Sequence, residues 1–126
     1  MSKSIINTPQ APAPIGPYSQ AVKANGMLFV SGQIPIIPAT GEMETGGIAA
    51  ETTQVMKNLG AILSEAGLDF TSVVKTSIFV ADMNDFAAVN AVYGQSFTED
   101  EPARETVAVR TLPKNVNVEI SCIAVL

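Results

Sequence analysis

The sequence contains no histidine, no tryptophan and a single cysteine, Cys122. These absences exclude a Ser-His-Asp or Cys-His catalytic pair, a zinc site built on histidine, and a two-cysteine redox centre. A disulfide within one chain is likewise impossible, which is typical of a protein from a reducing compartment. Any chemistry must therefore use carboxylates, hydroxyls, two tyrosines, a few cations and backbone groups.

Charged residues are also scarce, at 15% of the chain against about 25% in an average soluble domain. The 12 acidic residues outnumber the 7 Lys and Arg residues, so the formal net charge is -5. This balance argues against nucleic acid as a partner, because nucleic acid is bound by neutralising its phosphates with Lys and Arg.

Long hydrophobic runs are missing although 47% of the residues are hydrophobic. No run approaches the ~18 apolar residues of a membrane span, and the N-terminal segment lacks the apolar core of a signal peptide. We therefore expect no membrane association and a cytoplasmic location. The 126 residues fit one domain, residues 1–126. A chain this apolar is expected to bury surface against other subunits.

The spacing of apolar residues predicts the order β-β-α-β-α-β-β. A hairpin turn is predicted at Asn25-Gly26, a helix end at Gly67 and a second helix capped by Asp82. The predicted strands are 19–23, 27–31, 73–80, 106–111 and 116–125, with a short extra strand at 3–7, and the first helix spans 48–66.

Several predicted strands are apolar on both faces. In strand 73–80, alternation places Val74, Ile78 and Val80 on one face and Val73 and Phe79 on the other. Two helices can cover only one face of such a sheet, so the second face is expected to meet other subunits.

Arg104 and Glu119 are the strongest candidates for chemistry. Arg104 presents a planar guanidinium that suits a carboxylate, although it could equally form a surface ion pair with the acidic run 99–101. Glu119 interrupts an apolar strand, where loss of hydration would raise its pKa and suit it to acid-base work. The alternative is a hydrated residue at the rim of the sheet.

A hairpin between the last two strands would bring these candidates to one face. If residue 111 pairs with 116, then Arg104, Thr106, Glu119 and Ser121 line the same face of the sheet. Arg104 and Glu119 would still be too far apart for an ion pair, so they could flank a ligand or be brought closer by a neighbouring subunit.

Weaker candidates are polar groups beside apolar segments. Tyr18 offers a hydroxyl, Ser31-Gly32 ends an apolar strand, and Asn90 lies among apolar residues of the second helix. Packing or capping explains each of them equally well. Cys122 is expected to be an inert core thiol.

Seven segments of the chain, in order, resemble the YjgF/YER057c/UK114 (RidA) family. They are IGPYSQA at 15–21, VSGQIP at 30–35, VKT at 74–76, MNDF at 83–86 with VN at 89–90, PAR at 102–104, LPK at 112–114 and VEI at 118–120. The resemblance implies an α+β, chorismate-mutase-like fold with a mixed sheet, two helices on one face, and a homotrimer with clefts between subunits. It also implies hydrolysis of 2-imino acids, such as 2-iminobutanoate and 2-iminopropanoate, to 2-keto acids and ammonia, without cofactor or metal.

The resemblance also implies roles for individual residues. Arg104 would bind the substrate carboxylate and Glu119 would orient or deprotonate the attacking water. Thr106 stands where many members have a cysteine, so a thiol role is not expected, but its backbone carbonyl could hold the water. Three residues would line the cleft, with Asn90 nearby: Tyr18, Ser31 and Gly32.

Three other activities stay open at this point. An enamine such as 2-aminomuconate could be deaminated in the same clefts, or the trimer could be a non-catalytic regulator that binds small carboxylates. Ribonuclease activity, proposed within the family, fits poorly with a net charge of -5 and no histidine. The loop before Pro102 looks shorter than in typical members, which could change the cleft entrance.

Overall fold

The computed structural model describes residues 2–126, which form one six-stranded mixed sheet and two α-helices. The strand order across the sheet is β1-β2-β3-β6-β4-β5, and every neighbouring pair is antiparallel except β4 and β5. The strands are β1 Ser4–Ile6, β2 Ala21–Ala24, β3 Met27–Gln33, β4 Val73–Val80, β5 Ala103–Ala108 and β6 Val118–Val125.

The N-terminal hairpin confirms the turn predicted from sequence. Asn25 and Gly26 have φ values of 54° and 78°, which is the left-handed geometry that joins two strands through a two-residue turn. Strand β1 pairs with β2, so the short extra strand predicted at 3–7 is also present.

The helices follow the predicted pattern with small changes at their ends. Helix α1 spans Ile48–Glu65 and ends before Gly67, whose φ of 77° stops the helix. Helix α2 spans Phe86–Gly94, and Asp82 caps the 3₁₀ turn that precedes it rather than the α-helix itself. No helix within residues 2–126 is long and apolar enough to cross a bilayer.

Both helices pack on one face of the sheet, which we name the covered face. The hydrophobic core lies between this face and the helices. On β4 this face carries Thr76, Ile78 and Val80, all at most 1% exposed. The opposite, open face carries alternate residues of the same strands. Among them, Phe29 and Val125 are 45% and 44% exposed. The expectation that two helices leave one face of the sheet uncovered is therefore confirmed for the single chain, and that face mixes apolar side chains with polar ones such as Lys75 and Ser77.

The predicted hairpin between the last two strands is wrong. Strand β5 runs parallel to β4, connected to it through α2, and pairs Arg104 with Thr76 rather than with a residue of β6. Strand β6 instead lies between β3 and β4 and is antiparallel to both. A strand-helix-strand crossover joins parallel neighbours, and this long-range pairing prevails over the local hairpin.

The predicted faces of β4 are wrong at its beginning. The register against β6 shifts between Val73 and Lys75, so Val73 is buried at 4% exposure while Val74 is 40% exposed. A bulge inserts one residue and reverses the alternation that precedes it. Val73 therefore shares the covered face with Ile78.

Candidate functional site

Arg104 lies on the edge strand β5, and its side chain meets one row of helix α2. Its Nη1 donates a hydrogen bond of 2.7 Å to Asn90 Oδ1. The guanidinium carbon is 5.6 Å from the ring centroid of Phe86 and 5.1 Å from that of Tyr93. Residues 86, 90 and 93 are spaced so that they share one helix face, which holds the cation between two rings.

No acidic side chain of residues 2–126 forms an ion pair with this guanidinium. Among residues 2–126 an ion pair shorter than 4.0 Å is found between Lys75 Nζ and Glu105 Oε1, at 3.0 Å. No acidic oxygen of these residues lies within 4.0 Å of the Arg104 guanidinium. The interpretation of Arg104 as a surface ion pair with residues 99–101 is therefore wrong. Most of its five N–H donors remain available for an anion of bidentate shape.

A cavity of about 590 Å³ lies beside the guanidinium, and we name it the Arg104 cavity. Tyr93 and Phe97, both buried, contribute aromatic surface to it, with ring centroids 4.7 Å apart. Its lining residues are Asn90, Tyr93, Gly94, Phe97, Thr98, Glu101, Pro102 and Arg104. A small carboxylate with a short side chain fits the charge and volume of this space.

Tyr93 is a site residue that sequence reasoning placed only in the helix core. Its hydroxyl lies 2.7 Å from Thr76 Oγ1 in a buried hydrogen bond. Burial raises the pKa of this phenol, outweighing the lowering by the Thr76 bond and by the Arg104 charge, so the ring stays neutral. The spacing of Phe86, Asn90 and Tyr93 was the available signal, since it places all three beside one another.

Glu119 lies on β6 and faces the other side of the sheet. Its register partner is Phe79, an open-face residue, and its side chain is half-buried. Burial raises the pKa of this carboxyl, as an isolated acid in an apolar strand requires. The rim interpretation is therefore replaced by a partly desolvated acid with no cation beside it in the described chain.

Gly32 makes room for this carboxylate. A Cβ atom added to Gly32 would lie 2.9 Å from Glu119 Cδ, closer than real Cβ atoms approach. The pairing of β3 with β6 is irregular between Val30 and Gln33, which brings the glycine against the acid. Glycine at this position therefore permits the acid to pack on the backbone of β3.

Ser31 and Tyr18 lie near Gly32 on the same side of the molecule. The Ser31 hydroxyl donates to Ser19 O at 2.6 Å, and its N–H donates to Gln20 O at 2.9 Å. Tyr18 is 50% exposed, and together with Gly32 it lines a small cavity of about 30 Å³. The Ser31 hydroxyl proton is therefore already engaged, so towards a ligand this group can act only as an acceptor.

A buried amide fixes the segment that leads to Tyr18. The Gln20 side chain is 1% exposed, accepts a hydrogen bond from Thr8 N at 2.7 Å and donates to Pro12 O at 2.9 Å. It also donates to the carbonyls of Thr8 and Ala11. The proline-rich arm has few N–H donors of its own, so Gln20 supplies the bonds that order it.

Thr106 shares the covered face with Arg104. It is paired with Ile78, a fully buried core residue. Its hydroxyl oxygen is buried and has no hydrogen-bond partner within residues 2–126. A buried hydroxyl without a partner is costly, so Thr106 carries hydrogen-bonding capacity that the described chain does not use.

The predicted residues therefore form two groups on opposite faces of the sheet. Arg104, Asn90 and Thr106 form one group on the covered side, whereas Glu119 lies on the open face against Gly32, beside Ser31 of β3 and a small cavity that Tyr18 also lines. The prediction that Arg104, Thr106, Glu119 and Ser121 share one face is wrong, because it depended on the hairpin between β5 and β6. One subunit alone does not bring the acid to the arginine.

Cys122 belongs to the hydrophobic core and does not line the Arg104 cavity. Cys122 is buried, and burial raises the pKa of its thiol to about 12, so it stays protonated at neutral pH. Within residues 2–126 no three His, Cys, Asp or Glu side chains lie close enough together to hold a metal ion.

The profile of the Endoribonuclease L-PSP family matches residues 8–126. The chain belongs to this family. It is the family that the sequence motifs identify under the names YjgF/YER057c/UK114 and RidA. The match covers both helices and five of the six strands, so every residue of the two groups falls within it.

Relatives with more specific names match over nearly the full length. RutC family protein slr0709 of Synechocystis is 56% identical over 100% of this chain and 98% of its own. A human relative named 2-iminobutanoate/2-iminopropanoate deaminase is 46% identical over 98% of this chain and 90% of its own. The crystal structure of E. coli TdcF with bound serine is 43% identical with a TM-score of 0.93, covering 98% of each chain.

Proposed function

We propose that the protein hydrolyses reactive 2-imino and enamino acids, such as 2-iminobutanoate and 2-iminopropanoate, to 2-keto acids and ammonia. The observation that supports this most is the Arg104 guanidinium, held by Asn90 and two rings, free of any carboxylate and open to a cavity. The name of the human relative supports the same reaction class.

The reaction needs little beyond binding and a positioned water. Arg104 binds the carboxylate, and the protonated imine carbon is already electrophilic. Water adds to this carbon while Glu119 orients it or accepts its proton. The proton then passes to the nitrogen of the tetrahedral intermediate, and the C–N bond breaks with its electron pair leaving on ammonia. The hydroxyl oxygen forms the C=O bond of the keto acid as its own proton passes to Glu119, which releases it to the departing ammonia. The backbone carbonyl of Thr106 holds the water.

We propose that the site is completed between subunits of a homotrimer. Arg104 and Glu119 face opposite sides of one sheet, so a substrate can reach both only if they come from different chains. The open face supports such contact, since it exposes apolar side chains that a single chain leaves unburied. Tyr18, Ser31 and Gly32 then line the cleft on the Glu119 side, and Asn90 lies on the Arg104 side.

The first prediction concerns the wild-type protein. A threonine dehydratase generates 2-iminobutanoate from threonine, and the imine is trapped by semicarbazide in competition with its hydrolysis. We expect the protein to lower the yield of the trapped imine in proportion to its concentration. Equal trapping with and without the protein would contradict the proposed reaction.

The second prediction concerns the composite site. Arg104→Ala and Glu119→Gln variants, each with at most about 1% of wild-type activity alone, are mixed, dissociated and reassembled at equal amounts. A site is intact only when one chain supplies Arg104 and its neighbour supplies Glu119, and each condition is met in about half of the cases. About one quarter of the wild-type activity is therefore expected to return. Sedimentation of the reassembled sample checks that it is trimeric. Trimers without recovered activity, or a mass of one chain for the wild type, would contradict the intersubunit site.

A non-catalytic carboxylate-binding role is the second candidate. It is favoured by the E. coli TdcF structure, which holds serine, a small molecule with a carboxylate and no imine. Calorimetric binding of serine or 2-oxobutanoate without any decrease in trapped imine would support this role over deamination.

A further inference from the structure

Glu101 lines the same cavity as Arg104. The two groups do not pair, because no acidic oxygen of the described residues lies within 4.0 Å of the guanidinium. The cavity wall therefore includes one basic and one acidic residue. Asn90 and Thr98 add neutral polar surface, and the two buried rings add apolar surface.

The backbone holds Glu101 at this wall. Asp100 before it has a φ of 51°, and Pro102 after it restricts the backbone of Glu101 to extended conformations. Its neighbour in the acidic run, Glu99, does not line the cavity. One acid of the run thus lines the cavity, and another of equal charge does not.

We propose that Glu101 is a specificity-determining residue that disfavours substrates with a second carboxylate. The inference rests on the proposed function. Arg104 can neutralise one carboxylate of a 2-imino acid, and a second carboxylate in the same cavity meets the charge of Glu101. Neutral and cationic side chains do not encounter this repulsion. The protein therefore prefers monocarboxylic imino acids to dicarboxylic ones.

The test compares two imines made in place by amino-acid oxidases or dehydratases. One is 2-iminobutanoate, and the other is 2-iminosuccinate, which carries the second carboxylate. We expect Glu101→Gln to reduce the preference for the monocarboxylic substrate about fivefold, the size expected for partly hydrated charges several ångströms apart. The effect should shrink in 0.5 M salt, since added ions screen such charges.

Glu99→Gln is the matched control, because it removes the same charge from the same run outside the cavity. We expect it to leave the preference within about twofold, as exposed charges at longer range are screened. An unchanged preference in Glu101→Gln, or an equal change in both variants, would overturn the inference while leaving the deaminase function standing.

A binding measurement tests the inference even if the protein does not deaminate. Calorimetry compares 2-oxobutanoate with 2-oxoglutarate, which differ by one carboxylate. We expect the wild type to bind 2-oxobutanoate more tightly than 2-oxoglutarate. In Glu101→Gln the ratio of the two dissociation constants should be about fivefold smaller. Absence of imine hydrolysis would refute the proposed function, whereas an unaltered binding difference would refute the role of Glu101.

Discussion

Arg104→Ala is expected to reduce kcat/KM for 2-iminobutanoate by about 100-fold to 1,000-fold, since losing a hydrogen-bonded charge pair costs about 3–4 kcal/mol. The substrate carboxylate would lose its only cation in the Arg104 cavity. The fold should survive, because the side chain is exposed and contributes one hydrogen bond and two ring contacts. The trapping assay measures the activity, and thermal unfolding checks the stability.

Arg110→Ala is the matched control, because it removes the other arginine of the chain from an exposed loop position outside the Arg104 cavity. It should keep activity within about twofold, as expected for a surface substitution. Arg104→Lys should recover only part of the loss, because an ammonium retains the charge but not the planar fork. Full activity in Arg104→Ala, or an equal loss in Arg110→Ala, would remove Arg104 from the site.

The local elements of the fold were predictable from the sequence. The helix at 48–65 has a continuous apolar stripe and a glycine at its end, and Asn25-Gly26 has the composition of a two-residue turn. These signals act over a few residues, where spacing and backbone preference decide the outcome. The structure confirms them with shifts of one or two residues at the ends.

The pairing of strands was not predictable in the same way. Two consecutive apolar strands favour a hairpin, but β5 pairs with β4 across a helix, and β6 enters between β3 and β4. Such pairing depends on how the whole sheet is covered, which alternation along one strand does not encode. The bulge after Val73 is a further example, because one inserted residue reverses a face.

For the candidate site, too, single residues could be selected from the sequence but their arrangement in space could not be predicted. Arg104 and Glu119 could be selected from the sequence, since one is among only two arginines and the other is an acid within an apolar strand. Their grouping was wrong, because it followed the mistaken hairpin. Tyr93 was missed as a partner of the cation because an aromatic residue on a helix stripe is most often core, and here it serves both purposes.

Glu119→Gln is expected to lower kcat about 100-fold or more with little change in KM, since a positioned general base contributes about 10²–10⁴-fold. The amide keeps the size and shape that fit against Gly32 but does not accept a proton. Single-turnover trapping of the imine separates the chemical step from binding. An unchanged kcat would remove Glu119 from the proposed chemistry.

The pH dependence gives an independent signature of this residue. Burial raises the pKa of Glu119 above 4.5, so the wild-type kcat should fall about tenfold per pH unit below that raised pKa as the carboxylate becomes protonated. The variant should lose this acidic limb and keep a flat residual rate. Glu105→Gln is the control, because Ser77 and Lys75 hold the pKa of Glu105 below its usual range, and its titration lies at lower pH.

The contribution of Glu119 to folding stability should fall as pH rises, whereas its contribution to kcat should grow. An acid whose pKa is higher in the folded chain contributes stability that is fully present below its unfolded pKa and is lost as pH rises through the folded pKa. At neutral pH the Glu119 carboxylate is therefore partly desolvated at a cost, which glutamine avoids. A Glu119→Gln protein that unfolds at the same or a higher temperature while turning over far more slowly would show that the acid is retained for the reaction. A variant that loses activity only in proportion to lost folded protein would show a purely structural role.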